Sequence, residues 1–187
     1  MRQAATWELF AYWDRLRKGR AAPERAEIDP AAIRNVLADT FLLEIDPDCT
    51  FPIRLSGTRL NALWLAEQKG RPFLELWAEE ERRGVMALIL SVLDGAHPVI
   101  AGVGAGPQGR RAMNMELLLL PLRHNGKTRA RVVDCLAASA REPWFGLVAA
   151  EKLTLKSMRV LDAGEPDEVL APHWPDAPSP RLGDARI

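Results

Sequence analysis

The chain reads as one α+β domain in which helices cover an antiparallel sheet of five strands. Three observations carry this reading. Leu117, Leu118, Leu119 and Leu120 sit in a strand-forming run and put apolar side chains on both faces of a sheet, so both faces need cover. Asn125-Gly126 lies between that run and a second one, TRARVVDCLAA, and Asn-Gly is the strongest short hairpin signal. Before the strands, Val85 to Leu93 has helical spacing and an apolar face able to close one side of a sheet. At 187 residues, 48% hydrophobic and 27% charged, the chain has the size and composition for one globular core.

From Gln3 to Lys18, the residues Leu9, Phe10, Trp13 and Leu16 recur at helical spacing and predict an amphipathic helix. Its basic end suits a helix dipole. Arg15, Arg17, Lys18, Arg20 and Arg25 have no interleaved aromatic platform, so they do not mark a nucleic-acid surface. In IDPAAIRNVLAD, Asp29 suits an N-cap, Pro30 the first helical position, and Ile28 can staple onto Ile33. FLLEI and TFPIRLSG then form a hairpin around Pro47-Asp48-Cys49. In that register Ile45 faces Phe51, Leu43 faces Ile53 and Phe41 faces Leu55, giving one apolar face. On the other face Glu44 lies diagonal to Arg54, within reach of a structural ion pair.

Thr58 opens a helical stretch, TRLNALWLAEQ, followed by a break at Lys69 to Pro72 and a short FLELW segment. A longer helix begins at Glu79, Glu80 and Glu81, carries Val85, Met86, Leu88, Ile89, Val92 and Leu93 inward, and stops at Asp94-Gly95. Gly84 within it costs about 1 kcal/mol against alanine, which close packing on the sheet would explain. The strands HPVIAGV, RAMNMELLLLPLR and TRARVVDCLAA complete the core. A two-residue Asn125-Gly126 turn pairs Leu122 with Arg129, Leu120 with Arg131, Leu118 with Val133, Glu116 with Cys135 and Leu117 with Asp134. One sheet face is covered by the central helices, the other by the N-terminal helix or by the sheet of a second subunit. EKLTLKSMRVLD is either another strand or an extended packing arm. The divisions are thus an N-terminal helical extension over 1–40, the sheet domain over 41–162, and a Pro-rich tail over 163–187 anchored at most through Trp174.

Lysine plus arginine total 25, as do aspartate plus glutamate, which excludes a general nucleic-acid or polyanion binder. Charges interrupt every apolar stretch at the N-terminus, and no window is long enough for a membrane span, so a cytoplasmic protein without membrane insertion is expected. Cys49 and Cys135 lie far apart without CxxC spacing and suggest neither a zinc site nor a disulfide scaffold.

The segments WELFAYWDRLRKGRAAPERAEIDPAAI, FLLEI, FPIRLSGTRL, KGRPFLELW, HPVIAG and ELLLLPLR resemble a bacterial family of stand-alone PAS proteins long known only as a domain of unknown function. The likeness runs from about Trp7 to Asp162, and the order of elements is also that of a PAS domain. It implies a PAS-like five-stranded sheet with helices on its inner, concave face, a sensory or regulatory role, and no catalytic residues. Where that family carries a Phe-Gly pair at the start of the second helical segment, this chain has Leu63-Trp64-Leu65-Ala66. Trp64 is then expected to fill space that relatives leave open.

PAS domains with photoactive flavin use a cysteine in an Asn-Cys-Arg-like motif, which neither Cys49 nor Cys135 matches. Haem-binding relatives present a histidine from the long helix, whereas His97 lies beyond it, and His124 and His173 are read as solvated; no cofactor and no metal site are expected. Gly102, Gly104, Gly106 and Gly109 resemble a phosphate cradle but precede a strand, so a flexible hairpin loop is the reading. Among the carboxylates Glu44, Glu116 and Asp134, Asp134 opposite Leu117 is a candidate for a raised pKa and proton transfer, or else for pairing with Arg54 or Arg131. Trp64, Trp77, Met86, Asn114, Glu116 and Arg131 are candidates to line a small-molecule pocket. Leu9, Phe10, Trp13 and Leu16 are candidates for homodimerisation.

The leading functional expectation is a single-domain regulator that works by touching another signalling protein, because no kinase, cyclase or DNA-binding segment stands in the sequence. A sensor holding a small metabolite is the alternative, and a small isomerase-like enzyme using Asp134 or Glu116 the third.

Overall fold

A computed structural model describes residues 1–124 and 127–161, with backbone alone at 127–130. Helix α1 (Ala4–Arg17) leads through 3-10 turns at Arg25–Glu27, Pro30–Ile33 and Leu37–Asp39 into β1 (Thr40–Glu44) and β2 (Ile53–Ser56). Next come α2 (Thr58–Trp64), 3-10 turns at Phe73–Leu76 and Glu79–Glu81, and α3 (Arg82–Gly95). Strands β3 (Val99–Ala105), β4 (Met113–His124), β5 (Lys127–Ala138) and β6 (Thr154–Val160) follow. The antiparallel sheet has the order β2-β1-β5-β4-β3-β6.

The expected five strands are therefore six, because EKLTLKSMRVLD forms β6 along the free side of β3. Two glycines let that strand approach. A Cβ on Gly102 would stand 2.7 Å from Ser157 Oγ, and one on Gly104 would stand 2.5 Å from Lys156 Cε. Both are strand residues and not part of the expected loop, which retains Gly106 and Gly109. In the first hairpin Leu43 pairs with Ile53, but a bulge puts Leu42 opposite Leu55 and Phe41 opposite Ser56. Leu55 is consequently turned outward and half exposed. The hairpin loop is held by Asp46, whose carboxylate accepts from the Thr50 amide at 2.7 Å, the Thr50 hydroxyl at 2.7 Å and the Phe51 amide at 3.1 Å.

In the β4–β5 hairpin, His124 pairs with Lys127, bracketing Asn125-Gly126, which lie outside the described residues. Beyond an irregularity the pairs become Leu122–Arg131, Leu120–Val133, Leu118–Cys135 and Glu116–Ala137. The slip from the expected register is two residues, and an even slip leaves every side chain on its original face. Asp134 thus sits opposite Leu119, not Leu117, and opposite Phe41 on the other side. Asp162 and the 163–187 tail also lie outside the described residues.

Strict alternation divides the sheet into two cores. The inner face carries Phe41, Leu43, Met113, Met115, Leu117, Leu119 and Val132 against Val85, Leu88, Ile89 and Val92 of α3 and the aromatic rings Phe73 and Trp77. Phe41 stacks on Phe73 at 5.4 Å, and Phe73 meets Trp77 edge-on at 5.9 Å. The outer face carries Leu118, Leu120, Leu122, Val133 and Cys135 against Leu9, Tyr12 and Trp13 of α1. The second cover is therefore the N-terminal helix. Trp13 is fully buried, and its indole donates to the Pro121 carbonyl at 2.8 Å. Asp29 caps the turn at Pro30–Ile33 by accepting from the Ala31 amide at 2.9 Å. Gly84 faces open space, with nothing within 4 Å of where its Cβ would be, so sheet packing does not account for it.

Candidate functional site

Side-chain alternation scatters the six residues proposed to line one pocket. Trp77 is sealed in the inner core, and Met86 only borders it. Trp64, at the end of α2, packs against that core and donates its indole N–H to the Glu151 carbonyl at 2.8 Å, which fits a space-filling role. Asn114 is exposed and holds Lys156, while Glu116 and Arg131 share the outer face with Leu118 and Val133. Glu116 instead anchors α1. Its carboxylate accepts from the Arg2 amide at 2.8 Å and the Gln3 amide at 3.1 Å, and also takes the Thr6 hydroxyl. A carboxylate at the positive end of a helix is electrostatically favoured.

Arg54 is bonded to Glu44, and Arg131 approaches the same carboxylate at 3.5 Å. The Arg54 guanidinium, ahead of Arg131, holds the Glu44 carboxyl below the usual range. Asp134 pairs with neither arginine, contrary to the pairing expected for it, because it points to the inner face. Both its oxygens are buried without a hydrogen bond, and burial, only partly offset by the nearby Leu43 amide, raises its pKa well above the usual range. Burial likewise pushes the Cys135 thiol up, away from thiolate chemistry. Leu9 and Trp13, two of the four dimerisation candidates, are fully buried within the chain's own outer core, while Phe10 and Leu16 are partly buried against it. Trp7 is half exposed and stacks on Phe10 at 6.2 Å.

Openings at the surface of the described residues include two of note. The first is a cavity of about 200 Å³ where α1 begins, β4 starts and β5 ends. Leu60, Leu63, Met113, Met115 and Leu136 make it apolar, and Asp39, Arg59 and Arg141 make it charged. Gly57 sets this geometry, since a Cβ there would stand 2.5 Å from the Leu37 carbonyl oxygen. Without a side chain, the start of α2 lies directly on the turn ending at Asp39, and Arg59 bonds the buried Asp39 carboxylate. Burial raises the Asp39 pKa against the pull of Arg59 and Arg141. The Arg141 guanidinium lies over the Phe145 ring at 5.8 Å. The pattern of the sequence singled out none of Asp39, Arg59 and Arg141, because they meet only through long-range folding.

The second opening is a groove of about 530 Å³ on the outer side, between the segment 25–38 and the β1–β2 edge. Ile28, Ile33, Leu37, Leu42, Leu55 and Val133 line it, and Arg25 and Arg34 stand at its rim. Among the described residues, no group of His, Cys, Asp and Glu is arranged to hold a metal, and no helix is long and apolar enough to cross a membrane.

The sequence matches a PAS domain family over residues 1–137. No curated protein matches it. Among solved structures, an RNA-binding light-oxygen-voltage receptor is 17% identical with a TM-score of 0.45, covering 62% of this chain and 35% of its own. The chain therefore spans about a third of that receptor's length. A Rhodobacter sphaeroides LOV protein is 12% identical with a TM-score of 0.44, covering 62% of this chain and 71% of its own. The PAS domain of a Colwellia psychrerythraea protein is 10% identical with a TM-score of 0.45, covering 59% of this chain and 97% of its own.

Proposed function

The chain belongs to the PAS domain family, and we propose on that premise that it is a regulatory protein whose output is contact with a second protein at the outer groove. One observation carries this reading. Among the described residues the groove leaves an apolar surface uncovered, with Leu55 50% and Leu37 38% exposed, beside the cations Arg25 and Arg34. That combination suits a partner segment with an apolar anchor and acidic flanks. The inner face supports the same reading, because Phe41, Phe51, Phe73 and Trp77 fill it with fully buried side chains. No catalysis is assigned: Asp134 is sealed inside and Glu116 is hydrogen-bonded to α1 on the opposite face. The two unpaired cysteines are in keeping with a cytoplasmic setting.

Selection of phage-displayed peptides on the purified protein tests the groove. The expected binders carry an apolar anchor flanked by Asp or Glu and weaken at least about tenfold on Leu55→Glu or Arg34→Glu. Binders indifferent to both substitutions would refute it. Light scattering separates a competing occupant: a dimer that Leu55→Glu dissociates would make a second copy of this chain the partner. A small-molecule sensor remains a second reading, favoured by the charged cavity at Asp39, Arg59 and Arg141.

A further inference from the structure

We propose that the cavity between the start of α1, α2 and the β4–β5 end binds a small monocarboxylate with a short apolar body. The charge count selects the anion. Asp39, Arg59 and Arg141 are the charged residues lining the cavity, so two guanidiniums face one carboxylate and one positive charge is left over. Neighbouring carboxylates do not cancel it. Glu142, next in sequence to Arg141, approaches Arg111 at 3.6 Å, and Glu116 is held by the Arg2 and Gln3 amides and the Thr6 hydroxyl. Asp39 uses one edge of Arg59, whose side chain is still 40% exposed, and a guanidinium has five N–H donors in a fork suited to a planar carboxylate. Stacking on Phe145 positions the second guanidinium at the same mouth.

The remaining walls select the rest of the ligand. Apart from Gln3 beside the start of α1, this lining is apolar: Leu60, Leu63, Met113, Met115 and Leu136 offer nothing for a second charge to bond, and an unpaired polar group against them is penalised. Methionines adapt their shape to short alkyl chains. At about 200 Å³ the space falls below the roughly 300–1,000 Å³ of pockets for drug-sized ligands, so only a few carbons fit beyond the carboxylate. A dicarboxylate or phosphate would bring charge in excess of the single surplus cation. This inference deepens the sensor reading and is independent of the groove.

Butyrate is the probe, with butyramide as the uncharged analogue and inorganic phosphate as the alternative anion. Methionine-methyl NMR reads the site directly, because Met113 and Met115 line it while Met86 and Met158 lie elsewhere. Butyrate is expected to shift Met113 and Met115 saturably, butyramide to leave them unmoved, and Arg141→Gln to weaken butyrate at least about tenfold. Unchanged Met86 and Met158 signals show that the variant keeps its fold, and Arg141→Lys, which retains charge without the fork, should fall between. No saturable shift by about 10 mM butyrate, an equal response to butyramide, a response to phosphate in its place, or full affinity in Arg141→Gln would each overturn the proposal. Leu55→Glu is expected to leave the butyrate response intact, so failure here and failure of the groove are separately visible.

Discussion

Replacing Asp134 by asparagine is expected to stabilise the protein, and by more as the pH rises. Asp134 faces the inner core between Phe41 and Leu119 on neighbouring strands, fully buried, with neither oxygen hydrogen-bonded. Its folded pKa is raised by that burial, whereas in the unfolded chain it titrates near 3.9. Above about pH 4 the unfolded chain has therefore released a proton that the folded chain retains, and stability falls with rising pH until the folded pKa is passed. The slope in that window is about 1.4 kcal/mol per pH unit. The substituted side chain cannot titrate, so the advantage of Asp134→Asn over the parent should widen as the pH rises above about 4, by at most about 1.4 kcal/mol per unit, and level off above the folded pKa. Urea denaturation at each pH, compared at equal m-values, measures it. An advantage that does not grow anywhere above about pH 4, or a variant less stable than the parent, would refute the assignment of Asp134 as a carboxyl whose burial favours the protonated form.

Gly84→Ala should raise stability by roughly 0.5–1 kcal/mol in the same assay, since a methyl group there meets nothing within 4 Å and alanine favours the helix. Gly57→Ala should do the opposite: the added carbon meets the Leu37 and Ala38 carbonyls, α2 is displaced, and the contact of Arg59 with Asp39 is lost, visible as a changed Met113 methyl signal and a lower melting temperature. Glu116→Ala removes the acceptor for two backbone amides and a buried hydroxyl, and should cost about 1–3 kcal/mol, with hydrogen-exchange protection falling first in the opening turns of α1. Arg54→Ala should cost less than about 1 kcal/mol, because the pair with Glu44 is exposed and screened by solvent and salt.

The fold was legible wherever period and punctuation agree. Leucines 117 to 120 demanded cover on both faces, and α1 and α3 supply it. The Asn125-Gly126 signal located the β4–β5 hairpin, but the irregularity beyond His124 shifted its register by two, which no local pattern marks. The bulge in the first hairpin had the same effect on Leu55, moving it from the expected apolar face to the surface. Gly102 and Gly104 looked like loop residues, because the reason for their missing side chains is β6, some 50 residues later. The candidate site was the least legible part. Asn114, Glu116 and Arg131 were grouped with Trp77 by chemistry, although strand parity separates them across the sheet. The charges at the cavity come from the end of a turn, the first turn of α2 and the segment after β5, and only the closed structure brings them together.

The attachment of α1 determines which surface is accessible for exchange with other molecules. Lifting the helix would expose Leu9, Tyr12 and Trp13 to water, costing roughly 6 kcal/mol at about 2 kcal/mol per large side chain. Fewer than about one molecule in ten thousand then has that wall open at any moment. A visitor to the broad sheet surface would meet a door that is nearly always shut, whereas among the described residues no element has to move to bare the furrow beside Leu37 and Leu55.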